Sequence, residues 1–304
     1  MDDNIDKIEQ KNNIFKKWLL NIPLVVGFIL LFGYYFLSAP FGNKDVIVHI
    51  SIGQSINDIS QKLKSEKAIR TDFTLKVFIK LLKSGQGIIA GDYLIEKKTP
   101  VFVVAWQISR GHHKIEPNKI TIREGLTNEE IANLLAQRLA GFRKDLFLAG
   151  VYSKQGYLFP DTYFFFPLDT AGEIIEKLSN NFDNKVNNLT SSINGSGKSL
   201  EQIITMASIL EGEAGGEEDV AMISGILWKR ISLGMPLQVD TDKSTYITKG
   251  LPDKPLNNPG LMSIKAAINP VSSSYLYYLH DKGGRVHYAI TFEEHKRNIS
   301  KYLK

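Results

Sequence analysis

"ISIGQSINDISQKL" (Ile50–Leu63) and "TIREGLTNEEIANLL" (Thr121–Leu135) are two copies of one pattern, and the pattern organises the chain. Gly53 stands against Gly125, Ser55 against Thr127, Asp58 against Glu130, Ile59 against Ile131 and Leu63 against Leu135. In each copy a glycine ends a strand, a hydroxyl caps the helix that follows, and an acid sits at the third helical position. Around the first copy, "VIVHI" (46–50) reads as a strand and Ser55 to Lys64 as a helix. Asp72 to Leu82 reads as a second helix and "GIIAGDYLIE" (87–96) as a returning strand. The unit is βααβ. The expected fold class is α+β: this small unit over 45–115 and a larger mixed domain over 116–304.

The glycine-and-cap arrangement resembles the LysM module, and that resemblance implies binding of glycans containing N-acetylglucosamine. A βα repeat with a purely structural role is the equal alternative. Ahead of it, "WLLNIPLVVGFILLFGYYFLS" (18–38) carries no charge and is edged by Trp18, Tyr34 and Tyr35. That is long enough to cross a bilayer with aromatic residues at both interfaces. Lys11, Lys16 and Lys17 precede the span, so residues 1–17 are expected in the cytoplasm and the remainder outside. The expectation is a single-pass anchor in the cell inner (cytoplasmic) membrane. No small-x-small cleavage site follows the apolar run.

Composition narrows the function classes. A net charge of +5 comes from scattered basic residues with no interleaved aromatics, which argues against a nucleic-acid face. With no cysteine, thiolate metal sites and cysteine nucleophiles are excluded. His112, His113, His280, His287 and His295 lack the HExxH spacing of a zinc hydrolase, so no metal and no cofactor are expected.

The second half of the chain carries the chemistry. "GYLFPDTYFF" (156–165) places aromatics on both sides of a Pro160–Asp161 turn, which suits a carbohydrate groove and equally a hairpin corner. In "MASILEGEA" (206–214), Ser199 and Gln202 form a capping box for a helix on which Leu200, Ile204, Ala207 and Glu211 recur on one face. Glu211 falls within about 20° of Leu200, on the apolar stripe. A carboxylate there is half desolvated, which favours the protonated form that a general acid needs. Glu213 lies about 200° further round, so on a continuous helix the two carboxyls cannot flank one bond. A second helix around Val220, Ile223, Leu227 and Ile231 ends at Gly234, and two turn-rich loops follow, "GMPLQVDTD" and "GLPDKPLNNPG".

Taken in order, "GYLFPDTY", "MASILEGEA", "GMPLQVD", "STY", "GLP", "NPG", "SIKAAINP" and "YLYYL" resemble the endolytic murein transglycosylases of the YceG-like (MltG) family over about residues 45–304. The resemblance implies a lyase that cuts nascent peptidoglycan strands between MurNAc and GlcNAc, without water, leaving 1,6-anhydro ends. It matches Glu211 to the family's catalytic glutamate. Gln238, Asp240 and Asn258 match its motif positions and are candidates to bind the sugars' amides and hydroxyls, or alternatively to satisfy loop backbone; Glu213, which orients either a loop or a substrate amide, and Tyr163 join them as candidate substrate-binding residues, and peptidoglycan synthases are candidate partners. The chain departs from the family pattern at Gln155, at Thr241 and at Ser244, and lacks a stretch between "QVD" and "STY". The rival reading from another class is a noncatalytic glycan-binding envelope scaffold.

Overall fold

Ser55 and Thr127 cap helices as their spacing predicts. In this computed structural model, which describes residues 22–28, 30–35, 37–40, 44–82, 88–213 and 217–303, each hydroxyl accepts a hydrogen bond from the third helical amide. Gly53 and Gly125, at φ of 75° and 78°, turn the chain from strand to cap in a conformation that a Cβ disfavours. The chain divides between Glu116 and Pro117 into two compact units.

In the first unit, β1 (Val46–Ile50) pairs antiparallel with β2 (Gly91–Ile95), with Val48 opposite Tyr93 and His49 opposite Asp92. Between them run α1 (Ile56–Ser65) and α2 (Asp72–Leu82), and after β2 comes α3 (Val101–Arg110). Helix α3 starts beyond Pro100 and stops at Gly111, which adopts the left-handed conformation. Val48, Ile50, Ile59, Leu63, Leu75, Tyr93, Val104 and Ile108 form the core. One polar pair sits inside it: His49 Nδ1 and Asp92 Oδ1 lie 2.6 Å apart. Burial pushes the Tyr93 hydroxyl well above its usual range, and it donates to the Ile89 carbonyl.

The segments 22–28, 30–35 and 37 have helical backbone. The apolar run 18–38 lies partly outside the described residues. Among the described residues no helix is long and apolar enough to cross a membrane.

The second unit contains two cores. Around the first, β3 (Asn118–Thr121) pairs antiparallel with β4 (Thr162–Phe165), covered by α4 (Asn128–Arg138), α5 (Lys144–Gly150) and α6 (Ala171–Asn187). Ile131, Leu135, Phe147, Phe165 and Leu178 are buried there. The "PDTYFF" stretch thus leads into a strand of this core, and since α4 and α5 lie between β3 and β4 it is not a hairpin corner. After the short α7 (Thr190–Gly195), the second core gathers on α8 (Leu200–Glu213), with α9 (Glu217–Ser232) and α10 (Leu261–Ile268) against it. A two-stranded hairpin, β5 (Tyr277–His280) with β6 (Val286–Ala289), and α11 (Phe292–Tyr302) complete the chain. The architecture is α+β with small two-stranded sheets.

Helix α8 corrects one expectation. Ser199 and Gln202 do close a capping box, at 2.9 and 3.1 Å. The helix is buried on every side, however: Ile203 through Leu210 are all inaccessible. The apolar stripe is one face of a helix surrounded by protein, and polar Thr205 and Ser208 are buried with it, the Ser208 hydroxyl donating to the Thr205 carbonyl.

Candidate active site

Glu211 stands in the last turn of α8, where the helix leaves the core, and is half-buried. Its Oε2 accepts two hydrogen bonds, from the Gly260 amide at 2.9 Å and from Ser263 Oγ at 2.7 Å. Both donors belong to the start of α10, whose N-terminal amides suit a negative charge. Helix α8 continues through Gly212 to Glu213, so the two carboxyls do diverge. Glu213 Oε2 accepts instead from the Tyr278 hydroxyl on β5, at 3.0 Å. Gly212 has no room for a side chain, since a Cβ would overlap Thr241 Cγ2.

The loop before α10 is riveted to α8. The Leu256 amide donates to Ser208 Oγ at 2.9 Å, and Asn257 Nδ2 donates to the Ser208 carbonyl at 2.8 Å. The same loop is tied to the second copy of the glycine-and-cap repeat. The Gly125 amide donates to the Asn258 carbonyl at 2.9 Å, and the Asn258 amide donates to the Leu126 carbonyl at 3.0 Å. This brings Glu124 to the site. Its Oε1 rests so close to Gly260 that a Cβ on that residue would overlap it, while the Cβ position of Gly125 is 3.5 Å from Glu211 Cγ. Burial, and next the charge of Glu211, push the Glu124 carboxyl above the usual carboxylate range.

Glu124, Gly260 and Ser263 were not legible as site residues. The signal for Glu124 was in the repeat: the position before the glycine is Ile52 in the first copy and a glutamate in the second.

Of the five expected binding residues, the structure brings three together. Glu213, Gln238 and Asp240 line one groove of about 530 Å³ with Arg230, Tyr246 and Tyr278. Gln238 is exposed and held at a φ of 53°, a conformation uncommon outside glycine that suits a residue fixed for a task. Asp240 Oδ1 accepts from Lys243 Nζ at 2.8 Å and from the Tyr246 hydroxyl at 2.9 Å. The Lys243 bond above all holds the Asp240 carboxyl below its usual range. Burial and Glu213 together push the Tyr278 hydroxyl far up.

The other two are corrected. Asn258 is wholly buried; its Oδ1 accepts from the amides of Gly156 and Leu158, and its Nδ2 donates to the Leu126 carbonyl and Asn128 Oδ1. Every polar atom of that side chain is committed to the protein, so it holds loops together and does not meet a sugar. Tyr163 lies in the β3–β4 core, 9% exposed, and its hydroxyl donates to the Phe159 carbonyl at 2.6 Å. Burial pushes that hydroxyl up to about 12. It braces the turn ahead of β4. Gln155, one of the departures, has a use for its amide: Oε1 accepts from the Asn128 amide and Nε2 donates to the Leu256 carbonyl. A carboxylate could not make the second bond.

The sequence model of the YceG-like family matches residues 48–244 and 243–301. The chain belongs to the YceG-like family. Among members, it is 26% identical to an endolytic murein transglycosylase of Bacillus subtilis, over 92% of this chain and 91% of that protein. It is 24% identical to one of Streptococcus pneumoniae, over 86% of this chain, and there spans 59% of the relative's length. A crystal structure of a yceG-like protein from Listeria monocytogenes superposes with a TM-score of 0.54 at 26% identity, covering 84% of this chain and 99% of that one.

Proposed function

We infer that this YceG-like chain is an endolytic murein transglycosylase, a lyase acting on peptidoglycan glycan strands. The relatives named for that activity support the reading, and one observation carries the chemistry. Glu211 is fixed at the end of a buried helix by two hydrogen bonds that both fall on Oε2, which presents Oε1 for proton transfer.

In the mechanism we propose, Glu211 Oε1 protonates the oxygen between MurNAc C1 and GlcNAc C4 and the C1–O bond breaks. The 6-hydroxyl oxygen of the same MurNAc bonds to C1, and its proton returns to the Glu211 carboxylate. One strand becomes two, the new end is a 1,6-anhydro ring, no water is consumed and the acid is regenerated. Glu213, Gln238 and Asp240 supply hydrogen-bonding groups to the sugars' amides and hydroxyls from the adjoining groove. Residues 45–115 act as a LysM-like glycan-binding domain and 116–304 as the catalytic domain, which works beside peptidoglycan synthases.

The same proposal includes anchoring. Leu24, Phe28, Leu31 and Tyr34 are each about 70% exposed on the helical segment, the surface that a bilayer would cover. The uncharged run 18–38 then spans the inner membrane with residues 1–17 inside and the catalytic domain outside. Protease added to spheroplasts is expected to remove everything beyond residue 38; protection of the C-terminal part would overturn this topology.

Mass spectrometry of digested glycan strands tests the activity. Glu211→Gln keeps the shape but cannot deliver a proton, so release of anhydro ends should fall by roughly 10²- to 10⁴-fold. Glu213→Gln should cost much less, because its carboxyl faces Tyr278. A dead Glu213→Gln beside an active Glu211→Gln would reverse the assignment, and a wild-type protein that binds strands without shortening them would make it a scaffold.

A further inference from the structure

Two carboxyls, not one, are built into this site. Glu124 comes from the turn after β3 and Glu211 from the end of α8, and they converge on a single glycine. Gly260 donates its amide to Glu211 while Glu124 Oε1 rests over its α-carbon, in the space a Cβ would take. Gly125, beside Glu124, packs the other flank of the Glu211 side chain. The convergence is held in place by the exchanged backbone bonds between Gly125, Leu126 and Asn258 and by the saturated Asn258 side chain.

We propose that Glu124 is a positioning residue of the transglycosylase site, forming with Glu211 one coupled acid pair across Gly260. The proposal rests on Glu211 being the proton donor. Two carboxyls brought to one glycine oppose each other's ionisation. The upward push on Glu124 from burial and from Glu211 agrees with it. Glu124 is only partly covered, its carboxyl side against Gly260 and the rest in solvent, which keeps the pair open to the strand.

The charges on the surrounding elements leave this arrangement intact. Arg123 turns to a different groove, with Lys119, Glu130 and Arg138. On α10, Lys265 is exposed two residues beyond Ser263, about 200° round the helix. Asp253 and Lys254 are exposed on the loop before Pro255. Asp240 is bonded to Lys243 and Tyr246, Glu213 to Tyr278, Asp219 to Tyr288, and Arg230 to the Leu276 and Leu237 carbonyls.

The test compares the full-length wild type with Glu124→Gln and Glu124→Asp. Release of anhydro ends is followed against pH, and the glutamate carboxyls are titrated by carbon-13 NMR. Removing the neighbouring negative charge lets Glu211 lose its proton at lower pH. In Glu124→Gln the basic limb of the activity profile and the Glu211 titration should both move down. A move of one pH unit leaves about a tenth of the acid protonated above the limb. KM and melting temperature should change little, and Glu124→Asp, which keeps the charge, should restore part of the shift. If Glu124→Gln leaves the limb and the Glu211 titration where they are in wild type, the pair does not exist. If activity falls and the limb stays while the melting temperature drops, Glu124 is merely structural and the proposal also fails. Should Glu124→Gln not fold, Glu124→Asp decides between the same outcomes by the size of its shift. A wild type that makes no anhydro ends, yet whose Glu211 titration moves in Glu124→Gln, would overturn the reaction and leave the pair standing.

Discussion

Asn258 shows what a single side chain can hold together. Its four side-chain hydrogen bonds join the loop before α10 to the Gly156–Leu158 turn and to the start of α4. Asn258→Ala would leave the Gly156 and Leu158 amides and Asn128 Oδ1 without the partners they have here, at about 1–3 kcal/mol for each group that stays unpaired. We expect a loss of about 2–4 kcal/mol after relaxation, and a melting temperature lower by on the order of 5–15 °C, measured calorimetrically. Asn258→Asp should be nearly as damaging, because it turns a carboxylate oxygen toward the Leu126 carbonyl. At this scale the sequence was half legible. The Glu211 and Glu213 side chains diverge as the helical spacing required. Position in a motif marked Asn258 and Tyr163 as important without saying in what way, since a buried amide and a sugar-facing one look alike in one dimension. Glu124 was hidden for a related reason, being brought to Glu211 only by tertiary contacts.

Helix α9 depends on a close approach that only glycine allows. A Cβ on Gly225 would overlap the Val271 carbonyl oxygen, and the Val271 amide donates to the Ala221 carbonyl at 2.9 Å on the same helix face. Trp228 Nε1 and Lys229 Nζ fasten the neighbouring chain by bonds to the Ala267, Ser273 and Ser274 carbonyls. Gly225→Ala should therefore lift the segment leading into β5 and destabilise the protein by about 1–3 kcal/mol, as overpacking does elsewhere. Chemical denaturation checks the size. Because β5 carries Tyr278 to Glu213, weaker strand binding by the same variant is expected in a pull-down. Elements with a cap and an apolar period, such as α1, α2, α8 and α9, could be read directly. Helix α3 could not: Val101, Phe102, Val103 and Val104 favour a strand by local preference, and burial of Val101, Val104 and Ile108 decides the matter. The pairing of β3 with β4 was likewise invisible, since it joins residues on either side of two helices.

Among the described residues, His113 in the first unit and His295 in the second have proton affinities lowered by burial, which should make the molecule sensitive to acid. In the first, His113 packs on the Tyr93 ring with centroids 4.4 Å apart, and burial lowers its proton affinity against a smaller opposing pull from Asp92. In the second, burial and then Arg230 lower that of His295. Both folded values lie below the ordinary 6.5, so the unfolded chain binds more protons there. Stability is complete above about 6.5 and declines as pH falls through the folded values. Glu124 acts in reverse, losing stability as pH rises from about 4.5 through its raised folded value. We expect a melting temperature lower at pH 5 than at pH 7.5 by on the order of a few degrees, with the difference reduced in His113→Gln and His295→Gln. The long-range tie between Leu126 and Asn258, 132 residues apart, has a temporal meaning as well. A chain emerging N-terminus first exposes Glu211 while Gly260 and Ser263 are still to come. Until the stretch through Ser263 has followed, the carboxyl has no frame to orient it, and an incomplete copy carries its acid unaimed.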